Sequence, residues 1–274
     1  MFFEIPHAVD RKIHFEVYPN ELPQTTLFVH GNLASNRWWM PVRKAWQNAG
    51  DTTNFKGSMI VAEFRGCGQS TPPADLQEVD MQLFAKDFLA LIKSLNVGPV
   101  NIVGHSTGGL IAGIMAATEP ALVNKVLLLD PVGAGGVTFD QSMTAAFEAM
   151  KVDRKLTAAV IGSTILNNDA EAPFFKHEIV DDAFVAVKNV GAWVLESLDG
   201  LDVREKLKAV KAPTLVLHGE QDVLLPRADS EEIARLMGGR FQVLKGCGHC
   251  ANLENPELLV EVAHSFLFSD RNST

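Results

Sequence analysis

Three residues far apart in the chain are of the types that nucleophilic acyl chemistry needs. Ser106 lies in Gly104-His105-Ser106-Thr107-Gly108, after the apolar run 99–104 and before a stretch of helical spacing that starts at 107. A serine hydroxyl is a weak nucleophile until a base takes its proton, and that base needs an acid to orient it. Both types follow downstream. TLVLHGEQDVLLP places Asp222 just after one apolar run, and QVLKGCGHCANLENP places His249 just after the next. The order serine, aspartate, histidine, each at the exit of a strand-like segment, suits a nucleophile on a sharp strand-to-helix turn. The plainer reading of Ser106 is a loop serine that caps the helix behind it. The flanking glycines favour the nucleophile, because a turn that sharp leaves no room for a Cβ beside it.

Those residues need a scaffold, and the hydrophobic pattern supplies one. Residues 13–18 alternate, and 25–30, 59–64, 99–104, 125–130, 214–218 and 240–244 read as more buried strands. Phe84, Phe88, Leu91, Ile92 and Leu95 recur at helical spacing in 81–95, with Asp80 placed to cap that helix. Residues 107–118, 227–237 and 256–268 also read as helices, with Glu254 and Pro256 at the start of the last. Gly109, Ala112, Gly113 and Ala116 let the helix after Ser106 approach the sheet closely. Strands alternating with helices imply an α/β fold, a mostly parallel twisted sheet with helices on both faces.

From about Gly133 to Val210 no strand is expected, only amphipathic helical pieces such as 141–151 and 181–197. A simple crossover needs only about a dozen residues. The expectation is a core domain built from 1–132 and 211–274, with 133–210 inserted as a helical cap. Such a cap would lie over the C-terminal edge of the sheet, where open α/β sheets bind ligands. Substitutions at Phe147, Trp193 or Leu198 are then expected to alter substrate ranking more than stability.

The chain of 274 residues carries a net charge of −9, which argues against nucleic acid or an anionic membrane as its main partner. No basic segment followed by an apolar stretch marks the N-terminus as a signal peptide, and no run approaches the roughly 18 apolar residues of a membrane span. A cytoplasmic location is the expectation. The three cysteines, Cys67, Cys247 and Cys250, fit a reducing compartment. Cys247 and Cys250 form a CxxC, but no second ligand pair stands near them, so zinc is not expected. Asp130, at the end of LLLDPVG, rivals Asp222 as the acid; its plainer role is to satisfy nearby backbone N–H groups. His105, Trp38, Trp39 and Trp193 read as packing residues.

The chain resembles the α/β-hydrolase fold superfamily over almost its whole length outside the cap. The resemblance rests on His30-Gly31-Asn32 after an early strand, the turn Arg65-Gly66-Cys67-Gly68-Gln69-Ser70, the GHSTG elbow, and the HGEQD and GCGH loops, all in the family's order. It implies a Ser106–His249–Asp222 triad and an oxyanion hole formed by the backbone N–H groups of Asn32 and Thr107, with no metal or organic cofactor. The implied activity is cleavage of a carboxylic ester or related acyl bond of a small molecule. Lactone opening, perhydrolase chemistry like that of cofactor-free haloperoxidases, carbon–carbon hydrolysis and non-enzymatic small-molecule reception remain open alternatives. The serine at the elbow disfavours the aspartate-nucleophile dehalogenases and epoxide hydrolases.

Overall fold

The structure is a computed structural model that describes residues 1–20, 24–48 and 57–269. Residues 21–23, 49–56 and 270–274, all within the expected core ranges, lie outside the described residues.

Eight strands form one sheet in the order β1-β2-β4-β3-β5-β6-β7-β8. They are β1 (Phe2–Glu4), β2 (Lys12–Tyr18), β3 (Thr25–Val29), β4 (Ser58–Ala62), β5 (Val100–His105), β6 (Val123–Leu129), β7 (Thr214–Gly219) and β8 (Arg240–Leu244). The β1–β2 and β2–β4 pairs are antiparallel, and every pair from β4 to β8 is parallel. The strand alternation splits the core into two layers. Leu27, Val29, Ile102, Val126 and Leu128 face the layer that holds Phe84, Phe88 and Ile111. Phe28, Val103, Leu127, Leu129 and Leu217 face the other, with Trp39, Trp46, Leu259 and Phe266.

Helices Met81–Leu95 and Thr107–Thr118 occur where the sequence predicts them. The Asp80 carboxylate caps the first by accepting from the Gln82 and Leu83 N–H groups, at 2.8 and 2.9 Å. Strand β1 and helix Met40–Asn48 were not legible in the sequence. The last helix, Pro256–Leu267, is capped by Asn255, whose side chain accepts from Leu258 N–H at 3.1 Å. Glu254 instead ends a separate short helix, Ala251–Glu254.

Between β6 and β7 the described elements are all helical. Gln141–Val152 and Arg154–Ser163 come first, each capped by an aspartate, Asp140 and Asp153. The stretch expected as one helix over 181–197 is two α-helical pieces, Val180–Ala186 and Ala192–Leu198, joined by a π-helical turn at Val187–Gly191. A further π-helical turn, Phe175–Ile179, leads in. Leu198 is fully buried in the main apolar cluster, so truncating it is expected to cost stability more than it alters substrate ranking. Among the described residues no helix is long and apolar enough to cross a membrane.

Candidate active site

Strand β5 ends at His105, and the helix begins at Thr107, leaving Ser106 alone to reverse the chain. Its backbone takes φ 55° and ψ −122°, a conformation that a β-carbon makes costly. The Ser106 N–H donates to Leu129 O at 2.9 Å and its carbonyl accepts from Val132 N–H at 3.1 Å, so both ends of the turn are tied to the exit of β6. The neighbouring glycines are required by space. A Cβ on Gly104 would strike Gly108 O, and one on Gly108 would strike the carbonyl oxygens of Val29 and His30. The Ser106 hydroxyl makes no capping bond to its own helix, which removes the plainer reading of this residue.

The loops that carry Asp222 and His249, the candidate acid and base, leave β7 and β8 and meet. His249 Nδ1 lies 2.8 Å from Asp222 Oδ2. The other carboxylate oxygen, Asp222 Oδ1, accepts from Leu224 and Leu225 N–H at 2.7 and 3.2 Å. Burial pushes the Asp222 carboxyl upward, but the His249 bond and charge together with these N–H groups outweigh it and hold it below the usual carboxylate value. The ionised form of Asp222 is thus the favoured partner of the His249 ring. The two loops are also joined directly, through Gln221 N–H to Cys247 O at 2.8 Å. Among the described residues, the histidine–aspartate bond is closed and no hydrogen bond joins Ser106 Oγ to His249. That last contact often tightens only when substrate binds.

Asp130 is also here: its carboxylate, that of Asp222 and the His249 ring have atoms within 4.8 Å of one another. It is fully buried, with Oδ1 accepting from Gly219 N–H at 2.8 Å and Oδ2 without a partner. Burial pushes its carboxyl well above the usual range, and the nearby Asp222 charge adds to that. Burial therefore favours the protonated form of Asp130 beside an Asp222 held below the usual range, and its Oδ1 serves the Gly219 backbone N–H with His218 Nδ1 3.2 Å away.

His105 was expected only to pack. In the structure it also braces the base, because its Nε2 donates to the His249 carbonyl at 2.9 Å. Burial, reinforced by His249, lowers its pKa to about 3, so it stays neutral and keeps the tautomer that makes this bond. Trp39 stands edge-on to the same ring at 6.4 Å. Trp38 and Trp39 are buried, and Trp193 is partly buried against the core.

The His30-Gly31-Asn32 loop lies against the elbow, where a Cβ on Gly31 would sit 3.0 Å from the Ser106 Cβ. Among the described residues, neither the Asn32 N–H nor the Thr107 N–H donates to another group. The Asn32 side chain is occupied twice, accepting from Leu33 N–H at 2.9 Å and donating to Gly191 O at 3.0 Å. It thereby joins this loop to the π-helical turn of the insertion. A second tie is close by, where Ser35 and Arg37 both bond to the buried Asp182 carboxylate. A groove of about 580 Å³ opens beside the acid loop, lined by Asp222, Val223, Leu225 and Arg227 among others, but it reaches neither Ser106 nor His249. All three cysteines are free and buried.

The sequence profile of the alpha/beta hydrolase family matches residues 26–262, from the strand before the His30 loop into the last helix. The chain belongs to the alpha/beta hydrolase family. It is a hydrolase, and its relatives span several acyl chemistries. It is 25% identical over 221 residues to a pyrrolizixenacetamide deacetylase of Xenorhabdus hominickii, covering 78% of this chain and 81% of that one. It is 25% identical over 188 residues to a probable esterase of Oryza sativa subsp. japonica, covering 65% and 69%. Among solved structures, the enol-lactonase from Burkholderia xenovorans LB400 superposes with a TM-score of 0.81 at 20% identity, covering 98% and 100%.

Proposed function

We propose that this hydrolase cleaves a carboxylic ester or lactone of a small molecule through an acyl-enzyme on Ser106, with residues 133–210 acting as the cap. The observation that carries the reading is the 2.8 Å bond from His249 Nδ1 to Asp222, with the His249 carbonyl bonded to His105, the residue before a serine held at φ 55°. With Nδ1 engaged, the other ring nitrogen is the one left to take the serine proton.

Ser106 Oγ attacks the substrate carbonyl carbon as its proton passes to His249 Nε2. The resulting oxyanion accepts from the Asn32 and Thr107 N–H groups, each such donor contributing about 2.7–4 kcal/mol in comparable sites. Collapse restores the carbonyl and breaks the bond from its carbon to the alkoxy oxygen, and the leaving alkoxide takes the proton from His249. Water, deprotonated by the same nitrogen, then attacks the acyl-enzyme and releases the carboxylic acid with Ser106 restored. In a lactone the leaving hydroxyl stays on the acyl group, so one open-chain hydroxy acid is the product.

The relatives named above act on different acyl bonds by their names, and the lactonase likeness supports the fold alone. The discriminating experiment is a panel of esters, lactones and amides of graded acyl length, assayed with wild type and Ser106→Ala. A fluorophosphonate probe should modify Ser106 and stop turnover. Labelling elsewhere, or a fully active Ser106→Ala protein, sinks the mechanism.

A further inference from the structure

The loop that presents His249 has no helix or strand of its own, so its position depends on what holds its backbone. Asp222 takes the ring, His105 takes the carbonyl, Gln221 and Glu220 hold the backbone before Gly248, and Glu254 holds the two amides that flank His249. Glu254 Oε2 accepts the Gly248 N–H at 2.6 Å, and Oε1 accepts the Cys250 N–H at 3.0 Å. These are the amides immediately before and after His249. The same Oε1 also accepts the Leu166 N–H at 2.8 Å, from the insertion between β6 and β7. Among the described residues Glu254 has no cationic partner, so its bonding is entirely to backbone amides. The fit is close, since a Cβ on Gly248 would lie 3.1 Å from both Glu254 Oε1 and the Leu166 Cβ.

We propose that Glu254 is a positioning residue for the acyl-transfer reaction: its carboxylate clamps the His249 loop from both sides and ties it to the insertion at Leu166. The proposal rests on the reading of Ser106 and His249 given above. An ionised carboxylate is the one common side chain that accepts on both oxygens, and charge-assisted bonds of this kind are about twice as strong as neutral ones. A glutamine cannot replace it. One end of the amide would present N–H groups to the donors at Gly248, or to those at Cys250 and Leu166.

Glu254→Gln should fold, and should lose kcat by about tenfold or more with KM within about twofold, because a misplacement of 1 Å can cost about 10²-fold. The rate at which a fluorophosphonate modifies Ser106 should fall by the same factor, since that reaction reads the serine–histidine pair without the substrate's own binding. Lys125→Met is the control for lost stability alone. Lys125 bonds to the Phe266 and Ser269 carbonyls at the far end of the last helix, so its loss should lower Tm and leave kcat unchanged. If Glu254→Gln does not accumulate as folded protein, Glu254→Asp keeps the charge but is too short to span both amides, and the same split is expected. Wild-type labelling at Ser106 with an unchanged labelling rate and kcat in the Glu254 variant overturns the clamp and leaves the serine mechanism standing. Absence of labelling in the wild type overturns the mechanism beneath it.

Discussion

Helices Thr107–Thr118 and Gln141–Val152 have the same length, 12 residues, and opposite surroundings. In the first, every residue from Thr107 to Ala116 is buried; in the second, only Met150 is. The first follows directly on the candidate nucleophile and packs on both sides, so it tolerates almost no added volume. The second belongs to the insertion, where most side chains meet solvent and change costs little. The difference separates two demands on such an enzyme. On the proposed function, atoms that must stay within a fraction of an ångström belong to the crowded part and selectivity to the loose part.

The largest expected effect lies in the crowded part. Replacing the triad acid of a serine protease by asparagine costs kcat about 10⁴-fold, because the imidazole adopts the wrong tautomer. Asp222→Asn should lose a comparable factor while remaining folded by circular dichroism. Asp130→Asn should lose less than about tenfold, since an asparagine oxygen can still accept the Gly219 N–H and burial already disfavours the charge on Asp130. Equal losses, or the reverse order, would move the acid to the end of β6.

Glycines sharpen the contrast in stability. Gly108→Ala forces a methyl into two backbone carbonyls that cannot yield, and should cost about 3 kcal/mol or more, or prevent folding. Gly200 in the insertion has φ 72° and nothing within 4 Å of an added Cβ, so Gly200→Ala should cost only about 1 kcal/mol of backbone strain. Denaturant midpoints measure both. Similar losses would mean that crowding does not distinguish the regions.

The same contrast explains what could be read from the sequence. Core strands are apolar runs because they are buried on both faces, and the elbow glycines are forced by collisions, so both leave a mark in residue type. Strand β1 is three residues at the sheet edge, too short to show alternation. In the insertion, the π-helical turn at Val187–Gly191 shifts the helical register, so one expected helix proved to be two α-helical pieces. The parts played by Glu254 and His105 were illegible for another reason. Each bonds to main-chain atoms, His105 to a distant carbonyl and Glu254 to amides both near and far in the chain, and a backbone group is the same whatever residue carries it.

Within the insertion, position decides between selectivity and stability. A Cβ on Gly191 would lie 3.4 Å from Phe147, and the Gly191 carbonyl is bonded to Asn32, which brings Phe147 near the candidate oxyanion loop. Phe147→Ala and Trp193→Ala should change the relative kcat/KM for long and short acyl chains by about tenfold, within the range a few methylenes in an apolar pocket supply. Leu198→Ala should instead cost about 2–5 kcal/mol of stability, as a fully buried leucine does, with the ranking preserved. An unchanged ranking in both aromatic variants would show that the insertion does not line the acyl site.

The smallest expected effect is at the seam between the two regions, where the insertion's Asp182 meets Ser35 and Arg37 of the core. Burial raises the Asp182 carboxyl to about 6, even though its bonds to Arg37 and Ser35 pull the other way. The folded protein therefore holds this proton more tightly than the unfolded chain does. Stability associated with it is present at acid pH and is lost as the pH rises through about 6. Asp182→Asn cannot ionise, so it should lose nothing over that interval. The Tm of wild type relative to the variant should accordingly fall between about pH 4 and pH 8, by roughly 2–4 °C for each kcal/mol of linkage in a chain of this size. Reading the change in the gap, and not the gap itself, removes whatever the amide costs in its contact with Arg37. A gap that instead rose with pH would mean that the folded protein holds the Asp182 carboxyl below its ordinary value, and that the seam is a plain ion pair which acid weakens.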